Sequence, residues 1–353
     1  MNPRADSAAF STGLSLLLLF AAAPDGATGG ESRESTEAVR DTVTRALPWL
    51  AEEGDWWIEN KNCVSCHHTG LLLWSHRLAQ DRGLPVDPKK LDGWQAFAEA
   101  DTLGPRKDAK GKSIPGKAGS ANLEGLAQLI LGGSTGPPPE SAAEFRLLIR
   151  DGQTKDGSWA PGGQLPIQDR PELETRAAST LWDTLALDPP ANDATLASTR
   201  AWLNRNDAAL QRPKTIEIVA LRLLLADRTG SDSEAAAALR QLVDRQNADG
   251  GWSWIDGAPS HPLATGLVLY ALGQAGVDAA GFRSALDHAR EYLIHTQLPN
   301  GSWETPSTKA ANKGRSNDVS DFYGSAWAAI GLLRSLPGDR LTQAVSPSSS
   351  GAR

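Results

Sequence analysis

Apolar residues recur at i, i+3 and i+4 through most of the chain, and almost no segment alternates apolar with polar positions as a half-buried strand would. The pattern predicts helices in two interleaved sets. First helices are expected over roughly 36–58, 88–102, 140–152, 191–206, 232–246 and 280–296, and second helices over 69–81, 121–131, 174–187, 215–227, 263–274 and 321–335. The second set is richer in Ala, Gly and Leu. It is stopped by Gly83, Gly132, Gly230, Gly276 and the pair Pro189-Pro190, which act as caps and breakers.

Three connections repeat one another: Gln153-Thr-Lys-Asp-Gly-Ser-Trp159, Gln246-Asn-Ala-Asp-Gly-Gly-Trp252 and Gln297-Leu-Pro-Asn-Gly-Ser-Trp303. Their Gln residues lie 93 and 51 positions apart, so the first interval has room for two units of about 47 residues. A degenerate unit fills it, with Trp202-Leu203 standing where the last unit has Tyr292-Leu293 and no glycine turn after Asp207. Six helical hairpins with small-residue second helices imply an all-α fold, an α/α toroid with the second helices inside. The toroid spans 36–336. An open superhelix is the competing architecture.

The pattern of aromatic-Leu, three residues, Gln, two residues and Asp/Asn-Gly-x-Trp resembles the repeat of squalene and hopene cyclases and of prenyltransferase β-subunit-like proteins. Three good copies cover 153–303 and degenerate units extend the likeness to 36–336. The resemblance implies that Gln153, Trp159, Gln246, Trp252, Gln297 and Trp303 stack to tie helix ends together. It also implies an acid in an Asp-x-Asp-Asp motif, which this sequence lacks. The acidic pair Asp318 and Asp321 reads as helix capping and dipole compensation at a helix start. The zinc site of the prenyltransferase relatives needs a cysteine in a late repeat, and the cysteines here are at 63 and 66. Fold alone therefore does not bring the chemistry with it.

Composition adds three constraints. Net charge is -7 with a pI near 5.5, which argues against a nucleic-acid partner. The one Met is Met1, so no methionine is available as a ligand. Leu14 to Ala23 form an apolar run with Ala21 and Ala23 in cleavage positions. It is too short for a span of about 20 residues, so 1–23 reads as a signal peptide, and the mature chain is expected to be exported, periplasmic or extracytoplasmic, with no membrane span. Residues 337–353 turn to Ser, Pro and Gly and read as a disordered tail.

Cys63-Val-Ser-Cys66-His67 has the spacing of a c-type haem attachment site: two thiols for the vinyl groups and an imidazole for the iron. A disulfide or a zinc site using His67 or His68 are the alternatives. Trp57-Ile58 align with the aromatic-Leu pair and Asn62 with the Gln, so the motif replaces the repeat turn of the first unit. Loops from first to second helix all emerge at one end of a toroid, here termed the mouth, and the haem c is expected there. Without Met, the sixth ligand is His, water or nothing. His76 and His261 are the leading candidates and His295 a third, while His68 fits a supporting role. A His/His or open site implies a lower potential than Met/His ligation.

Charge is also sorted by end. The mouth loop 104–120 carries Arg106, Lys107, Lys110, Lys112 and Lys117 against Asp108, whereas the opposite loops are acidic. Loop 104–120 is expected to cover the haem propionates or to dock an acidic redox partner. Three functions follow as expectations: an exported haem protein using the toroid for electron transfer or small-ligand binding; a terpenoid-cyclase-like enzyme or lipid binder with an apolar small ligand lined by Trp74, Trp182, Tyr270, Tyr323 and Trp327; and a non-catalytic protein-interaction module.

Overall fold

The computed structural model describes residues 33–64, 68–104, 106–107, 113–114, 122–132, 139–162, 165–187, 194–276 and 282–336. The segments 1–23 and 337–353, Cys66, His67 and most of loop 104–120 lie outside them. Six outer helices, α1 (Arg33–Lys61), α3 (Pro88–Leu103), α5 (Pro139–Asp151), α7 (Ala194–Leu210), α9 (Asp232–Asp244) and α11 (Arg283–Thr296), alternate with six inner ones. The inner helices are α2 (Thr69–Asp81), α4 (Leu123–Leu131), α6 (Glu172–Ala186), α8 (Ile216–Thr229), α10 (Pro262–Gln274) and α12 (Asp318–Ser335). The helix-period reading thus places every element within a few residues. The strands among the described residues are a two-residue antiparallel pair in the basic loop, Arg106–Lys107 (β1) with Ser113–Ile114 (β2).

Each inner helix packs on the next, and α12 returns to α2 while α11 meets α1, so the ring is closed and the open superhelix is excluded. Burial follows from that position. A helix with neighbours on both sides and a partner behind it is apolar nearly all round, and every residue of α2 from Thr69 to Ala79 is buried. By contrast α9, covered on one face, buries only Ala238 and Leu242. The tightest contact is α10 on α12. A Cβ at Gly266 would lie 2.2 Å from the Trp327 carbonyl oxygen, and one at Gly331 2.2 Å from the Gly266 carbonyl oxygen, so neither position accepts a side chain.

The three matched turns share one hydrogen-bond scheme. The indole N–H donates to a carbonyl ten residues back on its own outer helix: Trp159 to Ile149, Trp252 to Leu242 and Trp303 to Leu293, at 2.6, 2.7 and 2.8 Å. The backbone N–H of the same Trp donates to a hydroxyl on the following inner helix, from Thr180, Thr265 or Ser325. The Gln amide donates one hydrogen to its own turn and one to the next outer helix, at Thr195, Ala285 or Thr42. The last of these joins residues 255 apart and fastens α11 to α1. Each turn therefore ties three helices together with a buried indole at its centre.

The centre of the ring is filled by side chains. Trp74, Trp182, Tyr270 and Trp327, one from each of four inner helices, pack with centroids 5.1 to 6.3 Å apart in tilted and edge-on arrangements. Four of the five aromatics expected to line a ligand cavity are thus core. The fifth, Tyr323, stands one turn nearer the mouth and does line one.

Candidate functional site at the mouth of the ring

Because outer and inner helices alternate in direction, all six inner helices start at the mouth and present their backbone N–H groups there. A cavity of about 260 Å³ lies between the starts of α4, α8, α10 and α12, above the aromatic centre. Its roof is the segment 305–312, which is held to segment 168–170 by backbone pairing of Gln168 with Lys309 and by Asp169 N donating to Thr308 O at 2.8 Å.

The charged lining comes from helix starts. Glu124 is the second residue of α4, behind Asn122, whose side chain accepts from Gly125 N at 2.8 Å as the cap. Glu217 is the second residue of α8, and Arg170 lies just before α6. Arg170 and Glu217 form an ion pair with side chains only 1% and 3% exposed. Trp182 Nε1 donates to the other Glu217 oxygen at 3.0 Å, and Arg170 Nε donates to Thr175 Oγ1 at 3.2 Å. The guanidinium also lies over the Trp254 ring, 5.8 Å from its centroid. Burial alone would lower the Arg170 pKa, but the charges of Glu217 and Glu124 outweigh it and raise it above its ordinary value.

Glu124 behaves differently. It is 2% exposed, its Oε2 has no partner among the described residues, and burial followed by the Glu217 charge pushes its carboxyl up to about 8, against the opposing pull of Arg170. Asp183, on α6, is raised well above its ordinary value, first by burial and then by the nearby Glu124. Beside one ion pair the ring therefore holds two buried carboxyls whose surroundings favour the neutral form. Neither carboxyl belongs to a motif. For Glu124 the one sequence signal is an acid in the otherwise apolar α4 (LEGLAQLIL), whereas Asp183 shares α6 with Glu172, Glu174 and Arg176 and has no such signal.

Asp318 and Asp321 lie in the first turn of α12, as dipole compensation requires, but neither is the helix cap. Asn317 caps α12 in a capping box with Ser320, and Asp321 accepts from Thr305 N at 2.6 Å and from Ser316 Oγ at 2.9 Å.

The cysteine motif starts at the same end of the ring. Asn62, at φ 47° the non-glycine residue with positive φ among the described residues, turns the chain out of α1. Half-buried Cys63 follows, and its carbonyl accepts from Trp57 Nε1 at 2.9 Å. His68 is buried and stacked between Trp57, at 3.6 Å, and Phe322, at 4.5 Å, which fits a supporting role better than a ligand role. Phe322 adjoins Tyr323 of the cavity.

The structure separates the histidine candidates. His76 is buried toward α1 and α3, with Nδ1 2.9 Å from the Leu72 carbonyl, Nε2 3.3 Å from the Leu47 carbonyl and its ring edge-on to Trp94. The neutral ring carries one N–H and donates it to one of these carbonyls, and Ser75 Oγ lies 3.2 Å from Nδ1, so both nitrogens are enclosed by protein groups. His261 is at the mouth, immediately before α10; its Nε2 contacts the carbonyl of Pro306, a cavity residue, at 2.8 Å, and its Nδ1 has no partner within the protein. Burial pushes both imidazoles down to about 4, so they are neutral at neutral pH. His295 is exposed on α11. Among the described residues, no three of His, Cys, Asp and Glu are grouped to hold a metal ion. No helix among them is long and apolar enough to cross a membrane.

No protein-family model matches the chain. Among solved structures, the type II terpene cyclase MstE from Scytonema superposes with a TM-score of 0.57 at 14% identity, over 85% of this chain and 98% of that one. The chain has the fold of the type II terpene cyclases. A structure titled Polysaccharide Lyase BACCELL_00875 superposes equally well, with a TM-score of 0.57 at 13% identity over 85% and 97% of the chains. In sequence, the chain is similar to drimenyl diphosphate synthase of Streptomyces showdoensis, 31% identical over 93 residues, which are 26% of this chain and 17% of that protein. The synthase of Streptantibioticus cattleyicolor is 33% identical over 82 residues, 23% and 15% of the two chains. The match spans less than a fifth of the length of either synthase.

Proposed function

We propose that this toroid is a terpene-cyclase-like enzyme in which Glu124 acts as general acid toward a compact, oxygen-bearing substrate in the mouth cavity. The observation that carries the reading is a buried carboxyl lining a cavity beside the Arg170–Glu217 pair, where burial and the Glu217 charge favour its acid form. An acid near 8 is matched to moving protons at neutral pH. It is too weak to protonate an isolated alkene, so an epoxide, ether or leaving-group oxygen is the fitting acceptor. The proton passes from the Glu124 hydroxyl to that oxygen as its bond to carbon breaks, and the carboxylate left behind faces Arg170 and the start of α4. The filled ring centre leaves no space for a long polyene.

Two measurements test this. In the first, Glu124→Gln should flatten the dependence of stability on pH. The folded state raises the Glu124 pKa from 4.5 to about 8, so it binds more protons than the unfolded chain, and stability falls as pH rises across that interval. Removing the group should stabilise the protein by roughly 3 kcal/mol at neutral pH relative to acid pH. In the second, an epoxide of geraniol is offered against geraniol itself. Turnover confined to the epoxide and reduced about 10²-fold or more by Glu124→Gln is expected. Equal turnover of geraniol, turnover of neither, or full activity in the variant would refute the assignment.

The Cys63-x-x-Cys66-His67 motif supports a second reading, an exported toroid carrying haem c for electron transfer or small-ligand binding, with zinc as the alternative occupant. Its support is the spacing itself, the placement of Cys63 at the mouth and the partnerless Nδ1 of His261, which makes His261 a better sixth-ligand candidate than His76. Bound haem would supply a redox-active iron; Cys63 and Cys66 would anchor it and His67 orient it. Protein made in a host competent for cytochrome c maturation should retain haem absorbance after denaturation, lose it in Cys63→Ala, and titrate at low potential. Neutralising the lysines of 104–120 should slow exchange with an acidic redox partner in a salt-dependent way. Absence of covalent haem removes this reading and leaves the Glu124 site untouched.

A further inference from the structure

Beneath the cavity, α4 and α6 bury polar atoms that no other group among the described residues satisfies. Gln128, one turn below Glu124, is fully buried and neither atom of its amide has a partner within the protein. Asp183 is 1% exposed with both carboxyl oxygens in the same state, and the hydroxyl of Ser179, one turn before it, is too. With Glu124 Oε2 these make six atoms on two adjacent helices. Leaving each dry would cost about 1–3 kcal/mol, in total comparable to the whole stability of a typical fold. Buried polar clusters of this kind are normally completed by internal water making about three hydrogen bonds.

The arrangement has a direction. Glu124 lines the cavity, yet its Oε2 is covered from solvent. The ionisable groups acting on Glu124 are Glu217 from α8 and Arg170 from the segment before α6, already paired with each other, while Tyr323 of α12 acts on Arg170. The one ionisable group acting on Asp183 is Glu124. New negative charge on Glu124 is therefore answered from the inner side by the unpartnered donors of this cluster, the Gln128 amide, the Ser179 hydroxyl and Asp183, of which Asp183 is the ionisable one.

We propose that α4 and α6 enclose a hydrated polar compartment in which Asp183 remains protonated and, through an internal water, stabilises the carboxylate formed when Glu124 releases its proton. Asp183 is then a positioning residue. Its O–H donates to the water, the water donates to Glu124 Oε2, and no net proton leaves Asp183. A charged Asp183 beside a charged Glu124 would be two like charges in a desolvated site, which is why the proton stays. This inference rests on the general-acid reading of Glu124.

The test is infrared difference spectroscopy of the full chain at neutral pH, reading the C=O bands of protonated carboxyls and their shift in D₂O. Two buried bands are expected in the wild type, one lost in Glu124→Gln and the other in Asp183→Asn. The Glu124 band should titrate in Asp183→Asn near its wild-type midpoint, because an amide still donates. In Asp183→Leu the midpoint should rise by about one pH unit or more, because a donor to the charged form is gone. If Glu124→Gln removes a band and Asp183→Asn removes none, the compartment falls and the acid stands. If Glu124→Gln removes none, both fall. Should Asp183→Leu fail to fold by thermal melting, the band count in Asp183→Asn decides alone.

Discussion

Gly301→Ala is expected to destabilise the ring by about 3 kcal/mol, read as a lower urea midpoint at unchanged m-value. Gly301 sits in the last matched turn at φ 88°, and its Cβ would fall 2.1 Å from the carbonyl oxygen of Arg45 on α1. Two costs combine there: left-handed strain of about 1 kcal/mol and forced separation of α11 from α1 at about 1–3 kcal/mol. That contact is where the chain closes on itself, next to the Gln297 amide bond to Thr42. Gly257→Ala is the control. Its φ of 76° imposes similar strain, but nothing lies within 4 Å of the added carbon, so about 1 kcal/mol is expected. Equal losses in the two variants would show that the close approach to α1 does not hold the ring shut.

Arg170→Met is expected to cost about 3–5 kcal/mol, since it strands the Glu217 carboxylate in a site where both partners are almost fully buried. The double variant Arg170→Met/Glu217→Gln should recover most of that loss. It removes the stranded charge while an amide oxygen can still accept from Trp182 Nε1. The single variant should also lift Glu124 further, because Arg170 opposes its upward shift. A loss below about 1 kcal/mol, the range of exposed pairs, would mean that water reaches the pair.

How much of this was legible without coordinates varies from element to element. The boundaries of α2 match the expected 69–81, and α10 starts at Pro262 and α12 after Asn317 because capping and breaking signals are read by a few neighbouring residues. The matched Gln and Trp pairs announced a repeated tie. Their donors reach Thr195, Ala285 and Thr42, and the hydroxyls that receive the Trp backbone lie at no fixed spacing, so sequence alone could not supply the partners. Among the histidines, position in the chain ranked His76 beside His261, whereas its distances to Leu72 and Leu47 distinguish them.

The sequence by itself determined the all-α class, the alternation of outer and inner helices and the location of the Cys63 motif in place of a turn. These depend on periodicity and on local backbone preference, which act over one or two turns of helix. Only the tertiary structure decided that four aromatics fill the ring centre, that Arg170 meets Glu217 across 47 positions of chain and that burial raises the Glu124 and Asp183 carboxyls above their ordinary values. Those properties depend on which groups are withdrawn from water together, and desolvation is fixed by the closed ring as a whole.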